Sequence, residues 1–147
     1  MVNITIFAVG KLKESFWKDA CAEYLKRLSG YCKVNVKEIP DSNAEKEAQA
    51  LKAALPEKTP ILLLDIKGKE VSSEALSAKL DAYALQGHSH VVFIIGGSDG
   101  VTAEIKTLAT ERLSFGPITL PHNLARVVLL EQVHRACKIS RGEPYHK

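Results

Sequence analysis

Val91-Val92-Phe93-Ile94-Ile95-Gly96-Gly97-Ser98-Asp99-Gly100 is the stretch that decides the fold. Apolar residues, mostly β-branched or aromatic, run without polar alternation into a pair of glycines. So short an unbroken apolar run predicts a strand covered on both faces, which a parallel sheet between helices provides. A second such run, Ile61 to Ile66, is interrupted only by Asp65 and closed by Gly68. Val2 to Val9 reads as a strand ending at Gly10, and Val34, Val36 and Ile39 alternate before Pro40 stops them. Between these runs the period changes to that of helices. Phe16, Ala20, Tyr24 and Leu28 share one face of a helix from Ser15 to near Gly30. Ser42-Asn43-Ala44-Glu45 has capping-box spacing ahead of a helix that ends before Pro56. Ser72 or Ser73 caps a helix carrying Leu76, Leu80, Tyr83 and Ala84, and Thr102 starts a short one carrying Ile105 and Leu108. Leu113 to Leu120 reads as extended, broken by Gly116-Pro117, and Pro121 opens a last helix reaching about Ile139. Strands alternating with helices give an α/β fold, a parallel sheet with helices on both faces.

The 147 residues suit one domain, 1–147, with a single core. At 46% hydrophobic and 25% charged residues the chain has the composition of an ordinary globular protein. A net charge of +3 permits a nucleic-acid partner without arguing for one. Cys21, Cys32 and Cys137 are odd in number and lack CxxC spacing, which argues against a disulfide framework or a zinc site. Met1-Val2-Asn3-Ile4 passes straight into strand-like sequence, and no apolar run approaches the ~20 residues of a membrane span. A cytoplasmic protein with no membrane partner is expected.

Ligands of open α/β sheets bind beyond the carboxyl ends of the strands. Two such ends carry small residues, Leu64-Asp65-Ile66-Lys67-Gly68 and Ile95-Gly96-Gly97-Ser98-Asp99-Gly100. The second is neither GxGxxG nor a phosphate loop ending in Gly-Lys-Ser/Thr. Gly96 and Gly97 either make a tight strand-to-helix turn or let backbone come within contact distance of a flat or polar ligand.

The last helix buries a stripe of Leu129, Leu130, Val133, Ala136 and Cys137, yet Arg126 projects from that stripe with His122 close by. A buried guanidinium needs a partner. It pairs inside the protein with carboxylates or carbonyls, or it meets an anion or a subunit boundary near a bound ligand. Leu124, Val127 and Val128 lie off the stripe, as a second subunit of a twofold homodimer would require. Glu131-x-x-His134 has metal-ligand spacing in a single copy and is assigned to a solvated or interface face, so no metal is expected. His88-Ser89-His90 reads as a surface turn. Tyr145, His146 and Lys147 end the chain with an aromatic ring, an imidazole and an ammonium, a set that suits contact with RNA.

With these residues placed, the chain resembles the ribosomal RNA large subunit methyltransferase H family, within the knotted SPOUT methyltransferases, over nearly its whole length. The carrying motifs are Ala8-Val9-Gly10-Lys11, Leu64-Asp65-Ile66-Lys67-Gly68-Lys69, Ile94-Ile95-Gly96-Gly97-Ser98-Asp99-Gly100, Leu113-Ser114-Phe115, Thr119-Leu120-Pro121-His122, Arg126-Val127-Val128-Leu129-Leu130-Glu131-Gln132 and Pro144-Tyr145-His146-Lys147. The resemblance implies S-adenosylmethionine-dependent methylation of N3 of a pseudouridine in helix 69 of 23S rRNA, within the assembled 70S ribosome. It also implies a homodimer and a C-terminal trefoil knot, which periodicity does not report. It places the cofactor against Leu64, against Gly96 and Gly97, and against Phe115, Gly116, Pro117, Ile118, Thr119 and Leu120. Pro117 has no N–H to donate, so any contact there is through its carbonyl or its shape. Arg126, His122 and His146 are the candidates for catalysis: a cation would stabilise the pyrimidine anion as the N3 proton leaves, and a neutral histidine could take that proton. The competing readings are a knotted methyltransferase with another RNA target and a non-catalytic ribosome-binding factor.

Overall fold

The computed structural model describes residues 2–145, so His146 and Lys147 lie outside the described residues. Strands β1 (Asn3–Val9), β2 (Val34–Ile39), β3 (Ile61–Glu70), β4 (His90–Ile95) and β5 (Glu111–Ser114) alternate with helices α1 (Ser15–Leu28), α2 (Ala44–Ala54), α3 (Ser73–Leu85), α4 (Ala103–Leu108) and α5 (His122–Ser140). The strands form one sheet in the order β2-β1-β4-β3-β5, and every pairing is parallel.

The apolar runs are explained by the two faces they serve. Ile4, Ile6 and Ala8 of β1, with Val91, Phe93 and Ile95 of β4, pack beneath α1, α3 and α5. Phe7 and Val9, with Val92 and Ile94, pack beneath α2 and α4 on the other side. Both sets of alternate residues are therefore buried, and full burial of each large side chain is worth roughly 1.5–3 kcal/mol. No helix among the described residues is long and apolar enough to cross a membrane.

Three local readings are corrected by the structure. Asn43 caps α2, its side chain accepting from the Lys46 N–H, and Glu47 rather than Glu45 reaches back to accept from the Ser42 N–H at 2.8 Å. The extended piece expected over 113–120 is instead the strand Glu111–Ser114. It ends where Ser114 Oγ accepts from the Gly116 N–H at 3.0 Å and closes a side-chain turn. β3 continues to Glu70 because its pairing with β5 breaks after Leu64↔Leu113 and resumes at Lys69↔Leu113. Residues 65–68 bulge out between these pairs. Gly68 closes the bulge: a Cβ there would stand 2.6 Å from the backbone carbonyl of Arg112, so only glycine lets the two chains approach.

Candidate functional site

The bulge after Leu64, the turn after Ile95 and the segment after Ser114 converge past the carboxyl ends of β3, β4 and β5. They enclose a cavity of about 600 Å³, within the range of small-molecule sites. The strand order reverses between β1 and β4, where a ligand crevice is usual in such sheets. This cavity lies beside that point, over β4, β3 and β5. Leu64, Gly96, Gly97, Phe115, Gly116, Ile118, Thr119 and Leu120 all line it, whereas Pro117 does not. His122, the first residue of α5, completes the wall nearest β1, and a Cβ on Gly10 would stand 3.8 Å from its Nε2.

The two glycines are demanded from behind. A Cβ on Gly97 would stand 2.9 Å from Val9 Cγ1, and one on Gly96 would stand 2.9 Å from Val101 Cγ1. Packing against the core thus excludes side chains here and leaves backbone as the cavity wall. Both sequence readings, tight turn and backbone-lined pocket, describe the same geometry. Ile118, 77% exposed, adds an apolar side chain to the lining of the cavity.

Arg126 is 4% exposed, and the anion it meets is internal. Its Nη1 donates to Glu38 Oε2 at 2.8 Å and its Nη2 to the Gly10 carbonyl at 3.1 Å. Arg126 is not among the residues lining the cavity. This corrects the reading in which it meets a bound anion: it ties α5 to the ends of β1 and β2. Glu38 also accepts from the Leu12 N–H at 3.3 Å. Burial pushes the Glu38 carboxyl up, but the hydrogen bonds from Arg126 and Leu12 and the Arg126 charge outweigh it and hold the group below its ordinary value.

Tyr145 is anchored. Its hydroxyl donates to Glu74 Oε1 at 3.1 Å, and its carbonyl accepts from Arg135, which is itself paired with Glu131 at 2.5 Å. The chain end therefore lies against α3 and α5 as far as Tyr145. Glu131 is occupied by Arg135 and Gln132, and the His134 ring packs edge-on to Tyr31 at 5.6 Å. Burial, then the Lys138 charge, lowers the His134 pKa. His90 belongs to β4 rather than to a surface turn, its Nε2 lying 2.7 Å from Thr5 Oγ1.

Two acidic residues escaped the sequence reading. Glu38 follows Val34 and Val36 on the face of β2 that α1 and α5 cover, but an acidic residue near a strand end carries no mark of its partner until α5 is placed. Asp65 did carry a signal, as the single charge inside an apolar run. It lines the cavity with its side chain 10% exposed. A second cavity of about 780 Å³ lies against Pro56, Pro60, Tyr83 and Leu108 and contains none of the expected residues.

Comparison with known proteins identifies the family. The family model described as Predicted SPOUT methyltransferase matches residues 2–146. A protein of Bacillus thuringiensis (strain Al Hakam) named Ribosomal RNA large subunit methyltransferase H is 47% identical, over 99% of this chain and 100% of its own. One of the same name from Bacillus cytotoxicus is 46% identical over the same shares. Among solved structures, a probable methylase family protein from Haemophilus influenzae Rd KW20 superposes with a TM-score of 0.60 at 12% identity, over 96% of this chain and 67% of its own. The A. aeolicus TrmH/SpoU tRNA modifying enzyme gives 0.50 at 13% identity, over 97% and 78%. At such identities these two likenesses concern the fold alone.

Proposed function

Because the chain belongs to the SPOUT methyltransferase family, we propose that it transfers the methyl group of S-adenosylmethionine to N3 of a pseudouridine in helix 69 of 23S rRNA, on the assembled 70S ribosome. The observation that carries this reading is the single cavity that gathers Leu64, Gly96, Gly97 and the 115–120 segment at the carboxyl ends of three strands. Its size suits a nucleoside-bearing cofactor, and its backbone edges and apolar rim suit a flat base. The relatives' name specifies large-subunit ribosomal RNA.

The bound cofactor supplies an electrophilic methyl group. The residues of this chain then have three tasks: alignment, exclusion of water and handling of the N3 proton. The 115–120 segment and the Gly96–Gly97 turn would hold the cofactor by their backbone. His122, at the cavity edge, faces the departing proton. Arg126 acts through position, since its salt bridge and its bond to Gly10 hold α5, and with it His122, against β1. Tyr145, His146 and Lys147 contact RNA, with Tyr145 held ready by Arg135 and Glu74.

The domain is a single SPOUT unit over 1–147, knotted at its carboxyl end. Support for the knot comes from the SPOUT family match over residues 2–146. The protein works as a cytoplasmic homodimer, with Leu124 and Val128, both partly exposed on α5, at the twofold face. It needs no metal.

The test is incubation with labelled S-adenosylmethionine and 70S ribosomes lacking the modification, followed by nucleoside mass spectrometry. The expected product is 3-methylpseudouridine. Label on another nucleoside would replace the target, and absence of both label and cofactor binding would leave a non-catalytic ribosome-binding factor.

A further inference from the structure

We propose that Asp65 reads the ribose of the bound cofactor, its carboxylate accepting hydrogen bonds from the vicinal sugar hydroxyls; this rests on the cofactor reading above. The 65–68 bulge pushes Asp65 out of the β3–β5 ladder and into the cavity wall. Its side chain is nine-tenths buried there, at 10% exposure. Oδ1 accepts from the Lys67 N–H at 3.0 Å. Oδ2 is buried and has no hydrogen bond; the nearest cation, Arg112 Nη1, stands 3.5 Å away, beyond good hydrogen-bond geometry.

The chemistry of the missing partner follows from that inventory. A carboxylate offers about four lone-pair sites, and a buried one left without donors is costly. The charge of Asp65 already has a counterion in Arg112, whereas the lone pairs of Oδ2 lack a hydrogen-bond donor. A neutral hydroxyl completes the set, while an ammonium would place two cations against one carboxylate. Vicinal hydroxyls present two donors at the spacing a carboxylate accepts. The Cβ–Cγ torsion of aspartate is soft, so the carboxylate can turn to present an oxygen to a donor in the cavity.

Calorimetric titration separates the possibilities with three ligands: S-adenosylhomocysteine, 5′-methylthioadenosine, which lacks the amino-acid end, and the 2′,3′-dideoxy form of the latter. Wild-type protein is expected to bind 5′-methylthioadenosine at least about tenfold more tightly than its dideoxy form, the scale of hydrogen bonds to a charged group. Asp65→Asn keeps an oxygen for Lys67 and is expected to weaken the two hydroxylated ligands by a common factor and to erase the preference over the dideoxy form. The wild-type comparison needs no variant, so it stands even if Asp65→Asn misfolds. Weakening of S-adenosylhomocysteine alone would move the carboxylate to the ammonium and overturn the proposal. A preference retained in the variant, or absent from the wild type, would overturn it as well. Wild-type protein that binds none of the three ligands would instead remove the cofactor reading, and this proposal with it.

Discussion

Arg126 Nη1 lies 2.8 Å from Glu38 Oε2, joining the helix that carries His122 to the end of the second strand. The pair is lopsided, with side chains 4% and 38% exposed. The guanidinium is committed to the interior, while the carboxylate still touches water. The arginine Nε has no hydrogen-bond partner. Glu38 and the Gly10 carbonyl therefore carry the satisfaction of a nearly buried cation.

Removing the carboxylate strands that cation. Glu38→Gln is expected to cost about 1–3 kcal/mol in urea denaturation, below the largest values for broken buried pairs because water reaches this side of the pair. The variant should also lose turnover while cofactor affinity stays unchanged, since Arg126 holds α5 and is not part of the cavity wall.

The same pair sets an acid limit. Glu38 and Glu111 both titrate below their ordinary value of 4.5 in the folded protein. For each, burial pushes upward and is outweighed, by Arg126 and Leu12 for Glu38 and by hydrogen bonds from Lys79 and Tyr83 for Glu111. A carboxylate with a depressed folded pKa stabilises above its unfolded value, and that contribution is lost as pH falls through the folded one. The contribution of these two carboxylates should therefore be constant from neutrality to about 4.5 and fall below it, whereas His134, its pKa lowered by burial, lets stability decline already below its ordinary value of 6.5. Glu38→Gln should show a shallower fall, read from denaturation midpoints across that window.

The glycines differ in what blocks them. Gly97→Ala meets Val9 Cγ1, a side chain that can be shortened, and should cost about 1–3 kcal/mol as overpacking. Adding Val9→Ala should recover part of that loss. Gly68→Ala meets the Arg112 backbone at 2.6 Å and has no such remedy, so it should be the more damaging change and should loosen β5. Thermal unfolding of the three variants checks the order.

His122 faces the cavity from the first turn of α5. His122→Ala should leave S-adenosylhomocysteine binding near the wild-type level and lower turnover about 10²–10⁴-fold, the usual contribution of a positioned acid or base. Equal losses in both measurements would make it a binding residue.

Much of this was legible in residue types. The run 91–95 is apolar on consecutive positions because its alternate residues serve different helical layers. That property is read from the order of residue types, an apolar run with no polar alternation. Leu64, Gly96 and Gly97 were legible from their place at strand ends, but the 115–120 segment was legible only through family resemblance, and the choice between turn and pocket at the glycines needed Val9 and Val101 in place behind them. Arg126 announced itself as a charge on a buried stripe, but its partner Glu38 sits 88 positions away and carries no local mark. The bulge of β3 was hidden for the same reason: Gly68 is small because the backbone of Arg112, on β5, passes against it.

The account stands on the cofactor occupying the cavity between β3, β4 and the 115–121 segment. Amide hydrogen exchange with and without S-adenosylhomocysteine tests that directly. Protection is predicted at residues 64–66, 95–97 and 115–121 together. Protection confined to residues 55–61 and 83–88, beside the second cavity, would contradict it.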